Sequence, residues 1–367
     1  MSSAAAPRQL RQVGLDEVRA IARGAAVLGT GGGGDPHIGA LMAAAAIRTH
    51  GPVALTPLAE LPDGAVVLPV AMMGAPTVMV EKIPSADQVG RAVDVLTRHL
   101  GLEVTHVACI EAGGVNSLVP VAAAAELGLP LVDADGMGRA FPELQQVLLT
   151  LTGVRATPMA VVDEKGNCAV IDTVDNRWAE RLARSVTIDM GCSAMISNYA
   201  MDGAAARRGL VPGTLSLAAS VGALLEPGVA GEDPASAVAA HLGGRVAVRA
   251  KVVDVERRTT TGFARGTAVL EGAGEHAGRR LTVDFQNENL VLRDGDHVLA
   301  TAPDLICLLD TASGAAITTE QLRFGHRVSA VVAPCDPRWR TPEGLALAGP
   351  AAFGYPDDAV LLEGVPA

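Results

Sequence analysis

The residues best able to do chemistry in this chain are three acids placed at the ends of two apolar runs. Val104–Ile110 reads as a buried strand followed by Glu111, and Leu129–Val132 as another followed by Asp133 and Asp135. In open α/β sheets, ligands collect beyond the carboxyl ends of the strands. Acids delivered there can serve as general base and general acid, or as oxygen ligands for a divalent metal. Glu111 leads through Ala112-Gly-Gly-Val to Asn116, and Asp135 leads through Gly-Met-Gly to Arg139, which would anchor a substrate. The plainer alternative makes some of these acids helix N-caps or partners of Arg139. Carboxylates are costly at a buried sheet edge unless used, which favours a functional role.

A second candidate is the run Gly29-Thr30-Gly31-Gly32-Gly33-Gly34-Asp35-Pro36. Consecutive glycines can turn several N–H groups toward one anion beside a helix N-terminus. Gly29, Gly31 and Gly34 formally fit G-x-G-x-x-G. However, the preceding segment reads as a helix, no acid lies about 20 residues on, and no Gly-Lys-Ser/Thr follows. No nucleotide is expected. The run is either a helix–helix turn or a close backbone approach to a small polar ligand through Gly31, Gly32, Gly33, Gly34 and Asp35. His37, one residue into the next helix, would face the same mouth, although single histidines usually have plain roles. Lys82, after the strand-like run Pro76–Val80 and Glu81, would add a base or carboxylate partner if it does not lie on the surface. In the C-terminal half, Phe285-Gln-Asn-Glu-Asn289 puts four polar residues into a β-like run. This is either a bulge at a domain interface or a polar reading head in which Asn287 and Glu288 meet a ligand.

The elements that must position these groups follow from periodicity. Residues 15–28 place Val18, Ile21, Ala25 and Leu28 at helical spacing. Asp35 and Pro36 form a good N-cap and first position for the Ala-rich helix after them. Candidate strands Ala65–Met72, Val104–Ile110, Leu129–Val132 and Met159–Val162 alternate with helical segments Ser85–Leu100 and Leu118–Leu127. That pattern predicts a three-layer α/β domain with a mainly parallel sheet. Residues 172–225 read as two helices, with Gly191-Cys192-Ser193 as helix packing. Beyond Gly228, short β-prone runs separated by Gly/Asp turns predict an antiparallel, barrel-like sheet. The expected domains are 1–165 and 166–367.

Of the 367 residues, 49% are hydrophobic, enough for a large core, while aromatics are 2%, so stacking platforms for bases are scarce. The net charge of −11, with no basic run, argues against nucleic acid as a partner. The five cysteines show no C-x-x-C pairing, so neither a disulfide framework nor a structural zinc site is expected. The longest apolar stretch, Ala65–Val80, is interrupted by Pro69, Gly74 and Pro76, and the N-terminus lacks an apolar h-region. A cytoplasmic protein that does not enter membranes is expected.

Four co-linear motifs, LGTGGGGDP (28–36), VDADGMGRAFPELQ (132–145), FQNENL (285–290) and APDLICLLD (302–310), resemble the sulfur-methyl thiohydantoin desulfurase family over roughly residues 14–355. The resemblance implies an N-terminal α/β domain followed by a β-barrel-like domain, and activity on a hydantoin-like cyclic imide or its thio-analogue. Many members carry an aromatic residue where this chain has His37. Three functions are consistent with these features. The first is a hydrolase acting on a small-molecule substrate, with Glu111, Asp133 or Asp135 activating water. The second is a non-catalytic ligand-binding or regulatory partner of a hydantoinase/oxoprolinase enzyme; the chain's own association as a homo-oligomer is a further expectation. The third is a lyase, isomerase or cyclase on the same scaffold.

Overall fold

The computed structural model describes residues 9–363 apart from 75–77, 79–81, 83, 86, 230, 261 and 262. The strand-like run Pro76–Val80 and Glu81 lie outside the described residues, except Val78, which is helical rather than extended.

The first sheet contains β1 (Gln12–Val13), β2 (Val53–Pro57), β3 (Val66–Gly74), β4 (His106–Cys109), β5 (Leu131–Asp135), β6 (Met159–Val162), β7 (Cys168–Ile171), β8 (Ser193–Ser197), β9 (Met201–Asp202) and β10 (Val211–Pro212). Its main path runs β1-β2-β5-β4-β3-β8-β6-β7. Strands β2, β5, β4 and β3 are parallel, as their near-continuous apolar sequences require. The neighbours β8, β6 and β7 are antiparallel, so the sheet is mixed. The helices Gln88–Leu100 and Val119–Leu127 supply crossovers between parallel strands. Each stops at a glycine in the left-handed region, Gly101 at φ 64° and Gly128 at φ 65°.

Residues 172–225 differ from the two-helix expectation. Between the helices Asn176–Asp189 and Thr214–Leu224 lie β8, β9, a short helix Gly203–Gly209 and β10. Gly191 (φ 93°) and Cys192 (φ 66°) form a turn that ends the first helix, so Gly191-Cys192-Ser193 is not helix packing. The five residues of β8, Ser-Ala-Met-Ile-Ser, are all buried, and so short a segment has no period to separate strand from helix. As a consequence, the expected boundary at 165/166 falls in the β6–β7 turn, inside the first sheet.

The second sheet comprises β11 (Arg245–Thr260), β12 (Phe263–Gly272), β13 (Arg280–Gln286), β14 (Glu288–Asp294), β15 (His297–Thr301), β16 (Leu305–Asp310) and β17 (Arg327–Ala333). It is antiparallel, in the order β15-β14-β13-β12-β11-β17-β16. It curls into a half-barrel, so that Asn289 Nδ2 on β14 reaches the Ile306 carbonyl on β16 at 2.9 Å. Among the described residues no helix is long and apolar enough to cross a membrane.

The helices Leu15–Leu28 and Thr214–Leu224 cross backbone to backbone. A Cβ on Gly24 would lie 1.8 Å from the Ala218 carbonyl oxygen, and one on Gly222 would lie 1.8 Å from that of Ala20. Helix propensity alone favours alanine by roughly 0.5–1 kcal/mol. The contact predicts the opposite sign: Gly222→Ala lowers stability by about 1–3 kcal/mol, the usual cost of overpacking, measured by denaturant unfolding.

Candidate functional site

The glycine run joins the helices Leu15–Leu28 and Pro36–His50, and Asp35 caps the second by accepting the His37 amide at 2.8 Å. Three other loops converge on it. Thr30 O accepts the Asn289 amide, Gly31 O the Thr319 amide, and Gly33 O the Val115 amide, each at 2.8 Å. There is no room for side chains. A Cβ on Gly32 would lie 2.0 Å from Glu288 Oε1, and one on Gly33 would lie 2.5 Å from the Gly113 Cα. The glycines therefore let the β4–helix turn and the β13–β14 hairpin approach from two domains. That hairpin is the expected polar cluster. Asn287 (φ 56°) is its apex, and its Oδ1 accepts the Ala264 amide at 2.9 Å.

Where these loops meet lies a cavity of about 90 Å³ lined by Gly33, Gly34, Glu111, Asn116, Asn198 and Glu288, with Met72, Met73, Phe141 and Ile196 as apolar walls. One ordered water needs about 10–15 Å³ by the same measure, so a small ring fits. Among the described residues, no acceptor engages the amides of Gly33 and Gly34. Glu143, Glu180 and Arg184 also line the space. Arg184 pairs with Glu180 and stacks on Phe263, 4.1 Å from the ring centre.

Of the three expected acids only Glu111 faces this cavity. Asn116 Nδ2 donates to its Oε1 at 2.6 Å, and the Asn116 side chain is fixed by the Met72 amide (2.8 Å) and carbonyl (3.1 Å). Burial raises Glu111 to about 7, against the lowering effect of Asn116 and the Phe141 amide. Glu288, from the second domain, faces the same cavity. Burial and the neighbouring Glu111 raise it well above the ordinary carboxylate range, and its Oε2 has no partner in the chain.

The other expected site residues are used elsewhere. Asp133 caps the helix Thr214–Leu224, accepting the Leu215 and Ser216 amides at 3.1 Å and the Ser216 hydroxyl at 2.6 Å. Asp135 accepts the amides of Met137 and Gly138 at about 3.0 Å and holds the loop after β5. Arg139 is fully buried and joins the domains through backbone carbonyls rather than waiting for a ligand. Lys82 pairs with Glu164 at 2.7 Å and donates to the Met190 and Ser193 carbonyls. His37 is exposed and does not line the cavity, while Gly31 and Gly32 are buried against the second domain. Among the described residues no group of three or more His, Cys, Asp or Glu is arranged to hold a metal ion.

Sequence reasoning missed Asn198, which is fully buried at the end of β8 with neither Oδ1 nor Nδ2 partnered in the chain. The available signal was the Gly191-Cys192 stop followed by the short run Ala194-Met195-Ile196 between two serines and then an asparagine.

A two-domain α/β and half-barrel protein with an acid-lined cavity at the junction is the class that fold and site define. The chain belongs to the S-Me-THD-like family: the N-terminal domain model matches residues 16–173 and the C-terminal domain model residues 174–361. It is also similar to the crystal structure of a protein from Chromobacterium violaceum, a structural genomics target. The two are 25% identical, with a TM-score of 0.80, over 96% of this chain and 100% of that one. No curated protein matches at a significant score.

The raised acids set a pH dependence of stability. Glu111 and Asp135 both titrate near 7 when folded, against 4.5 and 3.8 as free side chains. Between those limits the native state binds more protons than the unfolded one, so stability falls as pH rises. Unfolding is therefore predicted to need more denaturant at pH 5 than at pH 8, and Glu111→Gln to remove part of that difference, with Asp135 and Glu288 among the acids that retain the rest.

Proposed function

We propose that the cavity hydrolyses a small cyclic amide or imide of the hydantoin type, its S-methylthio analogue included. The observation that carries this reading is the pair of buried carboxyl groups, one from each domain, facing a space of ring size. They differ in environment: burial raises Glu111 to about 7, whereas burial together with the neighbouring Glu111 carries Glu288 well above the ordinary carboxylate range. Carboxyl groups held apart in this way suit division into base and acid.

In the S-methylthio case, Glu111 takes a proton from water as its oxygen bonds to the ring carbon bearing sulfur. Glu288 supplies a proton to the ring nitrogen, and the Gly33 and Gly34 amides hold negative charge as it develops. Collapse breaks the carbon–sulfur bond as the new hydroxyl gives its proton to Glu288 and becomes the carbonyl, and the thiolate leaves as methanethiol with the proton that Glu111 took from water. Asn116 orients Glu111 and leaves its second oxygen for the water.

Thiol release from an S-methyl thiohydantoin tests this. Glu111→Gln is expected to lower kcat by about 10²–10⁴-fold, and Glu288→Gln to lower it as well. The rate should rise with an apparent pKa near 7 as Glu111 ionises. Asp133→Asn, at the helix cap, should leave kcat within a few-fold. Full turnover in Glu111→Gln sinks the assignment.

A further inference from the structure

Asn198 is not accounted for by acid–base chemistry. Asn198 is fully buried, is one of the residues lining the cavity together with Ile196, and carries both a donor and an acceptor without a partner in the chain. Each orphaned group costs about 1–3 kcal/mol if nothing meets it. A terminal carboxamide presents C=O and N–H₂ side by side, so both are satisfied by a ligand that presents N–H and C=O side by side in return. A carboxylate offers two acceptors and leaves Oδ1 unmet, and an ammonium leaves Nδ2 unmet. Charge points the same way. The cavity walls carry Glu111, Glu143, Glu180 and Glu288, and the guanidinium there, Arg184, is already engaged by Glu180 and Phe263. An anionic ligand is disfavoured, and a neutral one fits.

We infer that Asn198 is the specificity-determining residue, its Oδ1 accepting a ring N–H and its Nδ2 donating to the adjoining ring carbonyl. The site then selects rings with an unsubstituted cis-amide edge and rejects N-alkylated ones. This rests on the cyclic amide reading of the cavity, but it concerns recognition rather than turnover.

The test is calorimetric binding of succinimide and N-methylsuccinimide, neither of which carries a thioether, to the wild-type protein and to Glu111→Gln. Succinimide is expected to bind at least tenfold more tightly in both. Asn198→Leu should bring the ratio near one, and Asn198→Asp, which keeps only acceptors, should also lose the preference. Equal binding of the two rings to the wild type, or binding of neither, overturns the inference. The comparison on the wild-type protein stands even if the variants fold poorly. If the preference holds while no thiol is released from an S-methyl thiohydantoin, the hydrolytic reading fails and the role of Asn198 survives. Thiol release without the preference removes the role of Asn198 and leaves hydrolysis standing.

Discussion

A guanidinium with no exposed surface and, among the described residues, no carboxylate within ion-pair distance must satisfy five N–H donors from neutral oxygens, and Arg139 does so across the domain junction. Its Nε donates to the Ala140 carbonyl at 3.0 Å. One terminal nitrogen donates to the Pro303 and Asp304 carbonyls at 2.9 and 2.7 Å, and the other to Thr30 Oγ1 at 2.8 Å and the Asn289 carbonyl at 3.5 Å. An uncompensated buried charge costs several kcal/mol, so these oxygens cannot drift apart without penalty. Through them the glycine run, the loop after β5, the β13–β14 hairpin and the β15–β16 turn are fixed relative to one another. Glu288 sits on the hairpin, and Glu111 on the β4–helix turn that the Gly33 carbonyl holds through the Val115 amide.

The cavity wall formed by residues 137–144 belongs to no helix or strand, so its backbone needs partners from outside. Asp135 accepts the Met137 and Gly138 amides, Glu180 accepts the Leu144 amide, and the Tyr199 hydroxyl donates to the Leu144 carbonyl. Trp339 donates to the Met137 carbonyl and packs edge-on to Phe141, itself 4.4 Å beneath the Arg139 guanidinium. Several buried acids thus hold an irregular wall in place. Glu111 is tied to Asn116, whereas Glu288 Oε2 has no partner in the chain.

Much of this was legible in the sequence because local rules and the global fold agree. The Asp35-Pro36 helix start, the parallel core strands and the Gly/Asp-punctuated antiparallel half all follow from periodicity and turn chemistry. What stayed hidden depended on contacts between segments far apart in the chain. Asp133 and Asp135 share a strand end with nearby Glu111 in prospect, but which acid turns to the cavity is decided by the helix N-terminus at Thr214 and by the amides of residues 137–138. β8 was hidden because five buried residues carry no period. Arg139 resembles a substrate anchor in sequence, and only the carbonyls of residues 303 and 304 show it to be a strut.

The central claim is that one cavity, shared by both domains, holds a neutral ring between Glu111 and Glu288. A crystal structure of the Glu111→Gln protein soaked with hydantoin tests it directly. The account predicts ring density in that cavity, with the amide edge against Asn198 and the far side toward Glu288. Hydantoin ordered at another site, with this cavity holding only solvent, would contradict it.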